Sequence, residues 1–203
     1  MVRISKKPEE RKKELLNIAE KLFLKQGFDD TSINQIVKEA KVAKGTFYYY
    51  FKSKDEILSS ILKRYIDNIE KEIKKISNEK SDAHSKMENI FKKLFYTQIE
   101  DNRFTQQFKS DTGYKIKAKL DKAFFNKFQP IILNVIKQGI EEKVFNTSYP
   151  QRISEILLLG IQGYMHNHYL YTADKQTYNS NIKAMEELLT RTLQAKYKFN
   201  LTV

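Results

Sequence analysis

Residues 27–54, GFDDTSINQIVKEAKVAKGTFYYYFKSK, constrain the fold of this chain more than any other stretch. Ser32 followed three residues later by Gln35 is a capping-box pattern, in which two side chains satisfy N–H groups left open at a helix start. Ile33, Ile36 and Val37 then recur at helical spacing, with Asn34, Gln35 and Lys38 outside. That helix ends near Ala40, and Lys41-Val42-Ala43 forms a turn with Val42 as its buried residue. A second short helix runs from Lys44 to Tyr50, with Phe47 and Phe51 on its inner face. Tyr48, Tyr49 and Tyr50 are consecutive, and each helical residue is turned about 100° from the last, so at least one ring must face solvent or a partner. Two short helices, a tight turn and an outer face of lysine and tyrosine point to DNA as that partner.

The flanking residues extend the pattern. Pro8 suits a first helical turn, and Glu9 and Glu10 follow where the helix dipole favours acid. Leu15, Ile18, Ala19, Leu22 and Phe23 mark one buried face, and Gly27 stops the helix with Phe28 packing back. Residues 10–50 therefore read as three helices, the last two a helix-turn-helix. Residues 1–7 are a basic arm in which Arg3, Lys6 and Lys7 can reach phosphates or a minor groove, or a solvated tail. Ser53 with Glu56 opens a fresh helix, and apolar residues from Ile57 to Ile76 hold one stripe along it. A helix of that length links two bodies, so residues 1–52 are expected to form the head and 53–203 a larger helical body.

Within the body the periodicity predicts helices over 83–101, briefly over 103–109, over a long stretch containing Pro130, over 150–171 and over 177–196. Asp111-Thr112-Gly113 reads as a break, and Pro130 as a bend. Only six Gly and three Pro occur in 203 residues, and apolar residues recur at helical spacing almost throughout, so the class is all-α.

The net charge of +12 suits a polyanion partner without naming one. Residues 1–52 carry +5 of it and the rest +7, so charge alone does not single out the head. Cysteine is absent, which removes disulfides, thiol catalysis and cysteine-based zinc sites. No apolar run approaches the ~20 residues that span a bilayer, and the charged N-terminus lacks a signal core, so a cytoplasmic protein with no membrane partner is expected. His166 and His168 would point to nearly opposite faces of a helix, a poor chelate, and no nucleophile elbow, phosphate loop or zinc motif is present. No catalytic residue, metal site or cofactor is expected.

The head resembles the TetR family of bacterial transcriptional regulators. The matching residues are Ala19, Leu22, Phe23, Gly27, Phe28, Thr31, Ser32, Ile33, Ile36, Ala40 and Val42, then Lys44-Gly45-Thr46-Phe47-Tyr48, Tyr50-Phe51, Lys52, Lys54 and Leu58. The match is dense over residues 10–62 and architectural beyond. Two positions depart from it. Lys41 stands where glycine is common, at a cost of ~1 kcal/mol if the backbone is left-handed. Ala43 stands where serine or threonine usually caps the recognition helix, losing roughly 1 kcal/mol.

The resemblance implies a recognition helix in the major groove, with base contacts from Lys44, Gly45, Thr46, Tyr48 and Tyr50 and Ala43 at its start. It implies phosphate contacts from Thr31 or Ser32, Tyr49 and Lys54, and leaves Gln35 as the remaining amide reader. A recognition helix without Arg, Asn or Gln leans on shape and apolar contact, so an A/T-leaning operator is expected. A homodimer is implied, with Leu157, Gly160, Ile161, Met165, Ile182, Met185, Leu189 and Leu193 at its interface. A small hydrophobic effector that releases a repressor from a palindromic operator is implied as well, its pocket lined by Tyr65, Phe91, Phe95, Phe108, Tyr114, Phe125, Phe128, Tyr164 and His168. The alternative is a dimer of the same fold controlled by protein contacts with no small ligand.

Overall fold

The computed structural model describes residues 7–105, 111–167 and 175–202, with side chains described outside 96–117 and 165–175. Among these residues every regular element is helical: α1 (Pro8–Gln26), α2 (Ile33–Glu39), α3 (Lys44–Tyr50), α4 (Lys54–Ser77), α5 (Ala83–Thr105), α6 (Asp111–Glu141), α7 (Pro150–Asn167) and α8 (Lys175–Thr192). The expected break at Asp111-Thr112-Gly113 is instead the first turn of α6, and Arg103 continues α5 rather than opening a short helix. The helix expected over 177–196 ends at Thr192, and the chain beyond is irregular. Pro130 lies inside α6 as expected. It and Asn126, whose carbonyl loses its helical donor there, are both exposed, so water can satisfy the freed group.

The chain divides into two compact units, Met1–Ile66 with Arg103–Leu120 and Asp67–Asn102 with Asp121–Val203. The sequence suggests a border at 52/53, where a new cap begins, whereas packing draws it between Ile66 and Asp67, inside α4. The reason is that Ile57, Leu58 and Ile61 are buried in one cluster with Leu15, Ala19, Phe23, Phe28, Ile36, Phe47 and Phe51. Each large apolar side chain in that cluster contributes roughly 1.5–3 kcal/mol by leaving water. Charged hooks tie α4 to α1 in the same unit: Arg64 donates to Asn17 Oδ1 and Glu20 Oε2, both at 2.7 Å.

Local chemistry explains the ends of the short helices. Ser32 Oγ accepts from Gln35 N at 3.2 Å while Gln35 Oε1 accepts from Ser32 N at 2.7 Å, the reciprocal cap expected from sequence. Gly27 ends α1 at φ 94°, its N–H donating to Phe23 O, and the rings of Phe23 and Phe28 meet edge-on at 5.2 Å. At the end of α2, Lys41 is left-handed at φ 53°; its N–H donates to Lys38 O, and Val42 N to Val37 O. This is a Schellman ending. The same paired bonds end α6 at Lys143 (φ 58°) and α8 at Gln194 (φ 46°). None of the three carries the glycine that would adopt this conformation without strain.

In the second unit, Ile69 and Ile73 of α4 are buried, as are Met87, Ile90, Phe91, Leu94 and Phe95 of α5 and Phe128, Ile132 and Ile136 of α6. So are Leu157, Leu158 and Ile161 of α7, Ile182, Met185 and Leu189 of α8, and Leu193 just after it. Gly139 leaves space for Phe145, since a Cβ there would lie 2.0 Å from the ring. The tail after α8 is part of this core: Phe199 and Leu201 are buried, and His84 stacks on Phe199 at 4.3 Å. Glu88 accepts from Asn200 N and Glu186 from Leu201 N.

Candidate nucleic-acid interface

α3 has one buried face and one open face. Phe47 is fully buried and Phe51 nearly so, their centroids 5.8 Å apart. Opposite them, Ala43, Lys44, Gly45, Tyr48 and Tyr49 are exposed, and Thr46 is half-buried. The three tyrosines separate as a helical turn requires: Tyr49 is 77% exposed, Tyr48 is 49% exposed, and Tyr50 packs against the head core. The Tyr50 ring meets that of Tyr49 edge-on at 4.8 Å.

A Cβ built on Gly45 meets nothing within 4 Å. Packing among the described residues therefore gives no reason for glycine there, although glycine costs a helix roughly 0.5–1 kcal/mol relative to alanine. Ala43 sits at the N-cap with no side-chain hydrogen bond, as its methyl dictates, and Thr46 N bonds only to its backbone carbonyl at 2.9 Å.

The expected phosphate set is sorted by burial. Thr31 is 1% exposed and its Oγ1 donates to Gly27 O at 2.6 Å, so its hydroxyl closes the corner between α1 and α2. Ser32 beside it is exposed. Gln35 is exposed, with its carbonyl oxygen engaged by Ser32 and its amide N–H donors left for another group. Lys54 is turned back into the head, its ammonium on the carbonyls of Phe28 and Asp29. Nothing in the sequence marks that capture, because its partners lie 25 and 26 residues away.

The residues expected to line an effector pocket do not all fall where they can be compared. Phe108 and His168 lie outside the described residues, and Tyr114 is in α6 with its side chain outside the description. Phe91, Phe95 and Phe128 are buried, Phe125 and Tyr65 are half-buried, and Tyr164 donates to Asn181 Oδ1 at 2.7 Å.

Of the expected interface residues, Leu157, Ile161, Ile182, Met185, Leu189 and Leu193 are buried inside the protomer, so they are not surface groups of a single chain. The side chain of Met165 lies outside the description. Gly160 is exposed, and beside it on α7 are Ile156, 63% exposed, and Leu159, 54% exposed; Leu188 of α8 is 44% exposed. These exposed apolar residues escape a reading by period alone, because α7 carries apolar residues on more than one face.

An exposed recognition surface on a buried helix-turn-helix core defines a DNA-binding transcriptional regulator, and the comparisons agree. The family described as bacterial regulatory proteins, tetR family, matches residues 15–61, and the one described as tetracyclin repressor-like, C-terminal domain, matches residues 97–188. The chain belongs to the TetR family. The HTH-type transcriptional regulator HbdR of Aromatoleum sp. (strain CIB) is 48% identical over 65 residues, covering 32% of this chain and 28% of that protein. The fatty acid metabolism regulator protein of Bacillus subtilis (strain 168) is 25% identical over 157 residues, covering 72% of this chain and 77% of that protein. The crystal structure of the transcriptional regulator FadR from Bacillus subtilis in complex with stearoyl-CoA shares the fold, with a TM-score of 0.64 at 18% identity, covering 91% of this chain and 99% of that one. These relatives are transcriptional regulators and not enzymes. Among the described residues no helix is long and apolar enough to cross a membrane.

Proposed function

We propose that this protein is a homodimeric repressor that leaves a palindromic operator when a small lipophilic molecule binds its body. The observation that carries the DNA-reading part is the outer face of α3, where Gly45 is open and Lys44, Tyr48 and Tyr49 stand exposed around it. In this reading Lys44 donates to guanine edges, the backbone at Gly45 lies against the groove floor, and Thr46 and Tyr48 make apolar contact with thymine methyls. Ser32 and Tyr49 meet phosphates, and the N–H donors of exposed Gln35 supply an amide reader. A surface with so few bidentate forks selects A/T-leaning sites by shape. Such a protein works in the cytoplasm, where its operator is.

A second chain doubles the reading and sets half-sites about 34 Å apart. The exposed stripe of Ile156, Leu159 and Gly160, with Leu188, is the surface that supports this pairing. A lipophilic effector is supported by the fatty acid metabolism regulator among the relatives and by the stearoyl-CoA complex of a protein with this fold. An effector acts only by its difference in affinity between the DNA-bound and released states.

The test is selection of duplexes from random DNA by the purified protein, followed by titration of the selected duplex complex with stearoyl-CoA and free fatty acids. An A/T-leaning palindrome that the lipid releases is expected. Failure to enrich any sequence refutes the regulator reading. Release by none of the lipids refutes the effector class and favours control by protein contacts.

A further inference from the structure

Lys54 opens α4, and its side chain runs back into the head. The ammonium donates to Phe28 O at 2.6 Å and Asp29 O at 3.1 Å, and it lies 4.3 Å from the centroid of the Phe28 ring. Those carbonyls belong to the corner between α1 and α2. The same corner is closed from inside by Thr31, whose N–H donates to Phe28 O at 3.2 Å and whose hydroxyl donates to Gly27 O. The next residue, Ser32, is the N-cap of α2. One ammonium at the start of α4 thus fixes the segment that decides where α2 begins. An ammonium has three donors. Here two are on backbone carbonyls, and an aromatic face, itself attractive to a cation, lies against the charge.

Resting on the DNA-binding reading, we propose that Lys54 is a positioning residue for operator binding. It acts through the α1–α2 corner on the placement of Ser32 and the start of α2, and does not itself touch a phosphate. The two roles differ in salt dependence. A phosphate contact releases counterions, so removing it lowers the slope of log affinity against log salt by about 0.9, whereas a lost positioning contact weakens binding at unchanged slope.

The test uses the full chain, the variants Lys54→Met and Lys54→Arg, and a duplex selected from random DNA by the wild-type protein. Amide exchange is read first, in the free protein. Lys54→Met is expected to speed exchange at Thr31 N and Ser32 N about tenfold and to weaken operator binding about tenfold, the worth of one charge-assisted hydrogen bond. The salt slope stays that of the wild type, and Lys54→Arg, which keeps charge and donors, recovers most of both. A slope lower by about 0.9 with exchange unchanged makes Lys54 a phosphate contact and overturns the proposal. Unchanged affinity overturns it as well. If the wild-type protein enriches no duplex, the regulator reading fails at that step, and the exchange comparison still decides whether Lys54 holds the corner.

Discussion

Gly45→Ala separates what the head needs to fold from what it needs to bind. The glycine lies in α3, and an added Cβ meets no heavy atom within 4 Å, so the methyl creates no clash inside the protein. Alanine is the better helix former by roughly 0.5–1 kcal/mol in a helix interior, and near the first turn of a seven-residue helix the lower figure applies. A gain of about 0.5 kcal/mol slows amide exchange in the head about twofold. The same methyl points outward from the face proposed to lie in the groove, where it holds the backbone off the bases. Losing one base-pair's worth of close contact costs ~1–3 kcal/mol, which is roughly ten- to a hundredfold in affinity. No charge is changed, so the salt slope and the affinity for random DNA stay those of the wild type. Exchange by mass spectrometry and anisotropy with a selected and a scrambled duplex read both effects on one sample. Unaltered affinity for the selected duplex refutes the claim that DNA explains the glycine. Faster exchange refutes the claim that the space around it is open.

Lys41→Gly relieves a left-handed lysine and is expected to stabilise the head by up to ~1 kcal/mol, part of it offset by the greater freedom of glycine in the unfolded chain; urea unfolding reads the difference. In the second unit Glu70 accepts from Lys127 and from Lys74, and Lys127 also meets Asp67 at 3.1 Å. Lys127 chiefly, then Lys74, lowers the Glu70 pKa, and Glu70 chiefly, then Asp67, raises that of Lys127. The contribution of Glu70 is therefore present above its ordinary 4.5 and is lost as pH falls through its lowered value. That of Lys127 is present below its ordinary 10.5 and is lost as pH rises through its raised value. Lys127→Met is expected to cost about 1 kcal/mol at neutral pH and to flatten the stability profile at both extremes, measured by unfolding across pH; an unaltered profile shows that the cluster contributes nothing. Ile156→Glu with Leu159→Glu changes two residues that are exposed in the protomer, so helix content is kept while sedimentation shifts from dimer to monomer; a persistent dimer places the interface elsewhere.

The head was legible because its information is local. Ser32 and Gln35 satisfy each other across three residues, Gly27 supplies a positive φ, and Phe47 and Phe51 share a face by helical period alone. The left-handed backbone at Lys41 was only a condition attached to the resemblance, because the two-bond helix ending that fixes the sign of φ shows in the fold and not in a lysine. What was not legible depends on distant partners. The period of α7 identifies Ile156, Leu157, Leu158, Leu159 and Ile161 as apolar without saying which of them the rest of the protomer covers; burial takes Leu157, Leu158 and Ile161 and leaves the other two. Phe199 and Leu201 sit in an aperiodic tail and are buried by distant partners: Phe199 packs on His84 and Phe145, and Glu88 of α5 and Glu186 of α8 accept from the tail's backbone. At Asp111-Thr112-Gly113 a turn-like triplet is helical, an instance of context overriding local preference.

Four helical glycines, Gly45, Gly139, Gly160 and Gly163, sort the surfaces of this protein. Glycine weakens a helix, so each one calls for a reason. At Gly139 the reason is internal, because Phe145 occupies the place of the missing side chain. Among the described residues nothing lies within 4 Å of a Cβ at Gly45, Gly160 or Gly163, so none of those residues accounts for them. One of these lies on α3 between exposed Lys44 and Tyr48, and the other two lie on α7, Gly160 beside exposed Ile156 and Leu159. A side chain omitted at a helix-weakening cost, where no described residue fills its place, fits the proposed close approach of another backbone or a base pair. On the proposed reading the first of these faces meets DNA and the second a further copy of the chain.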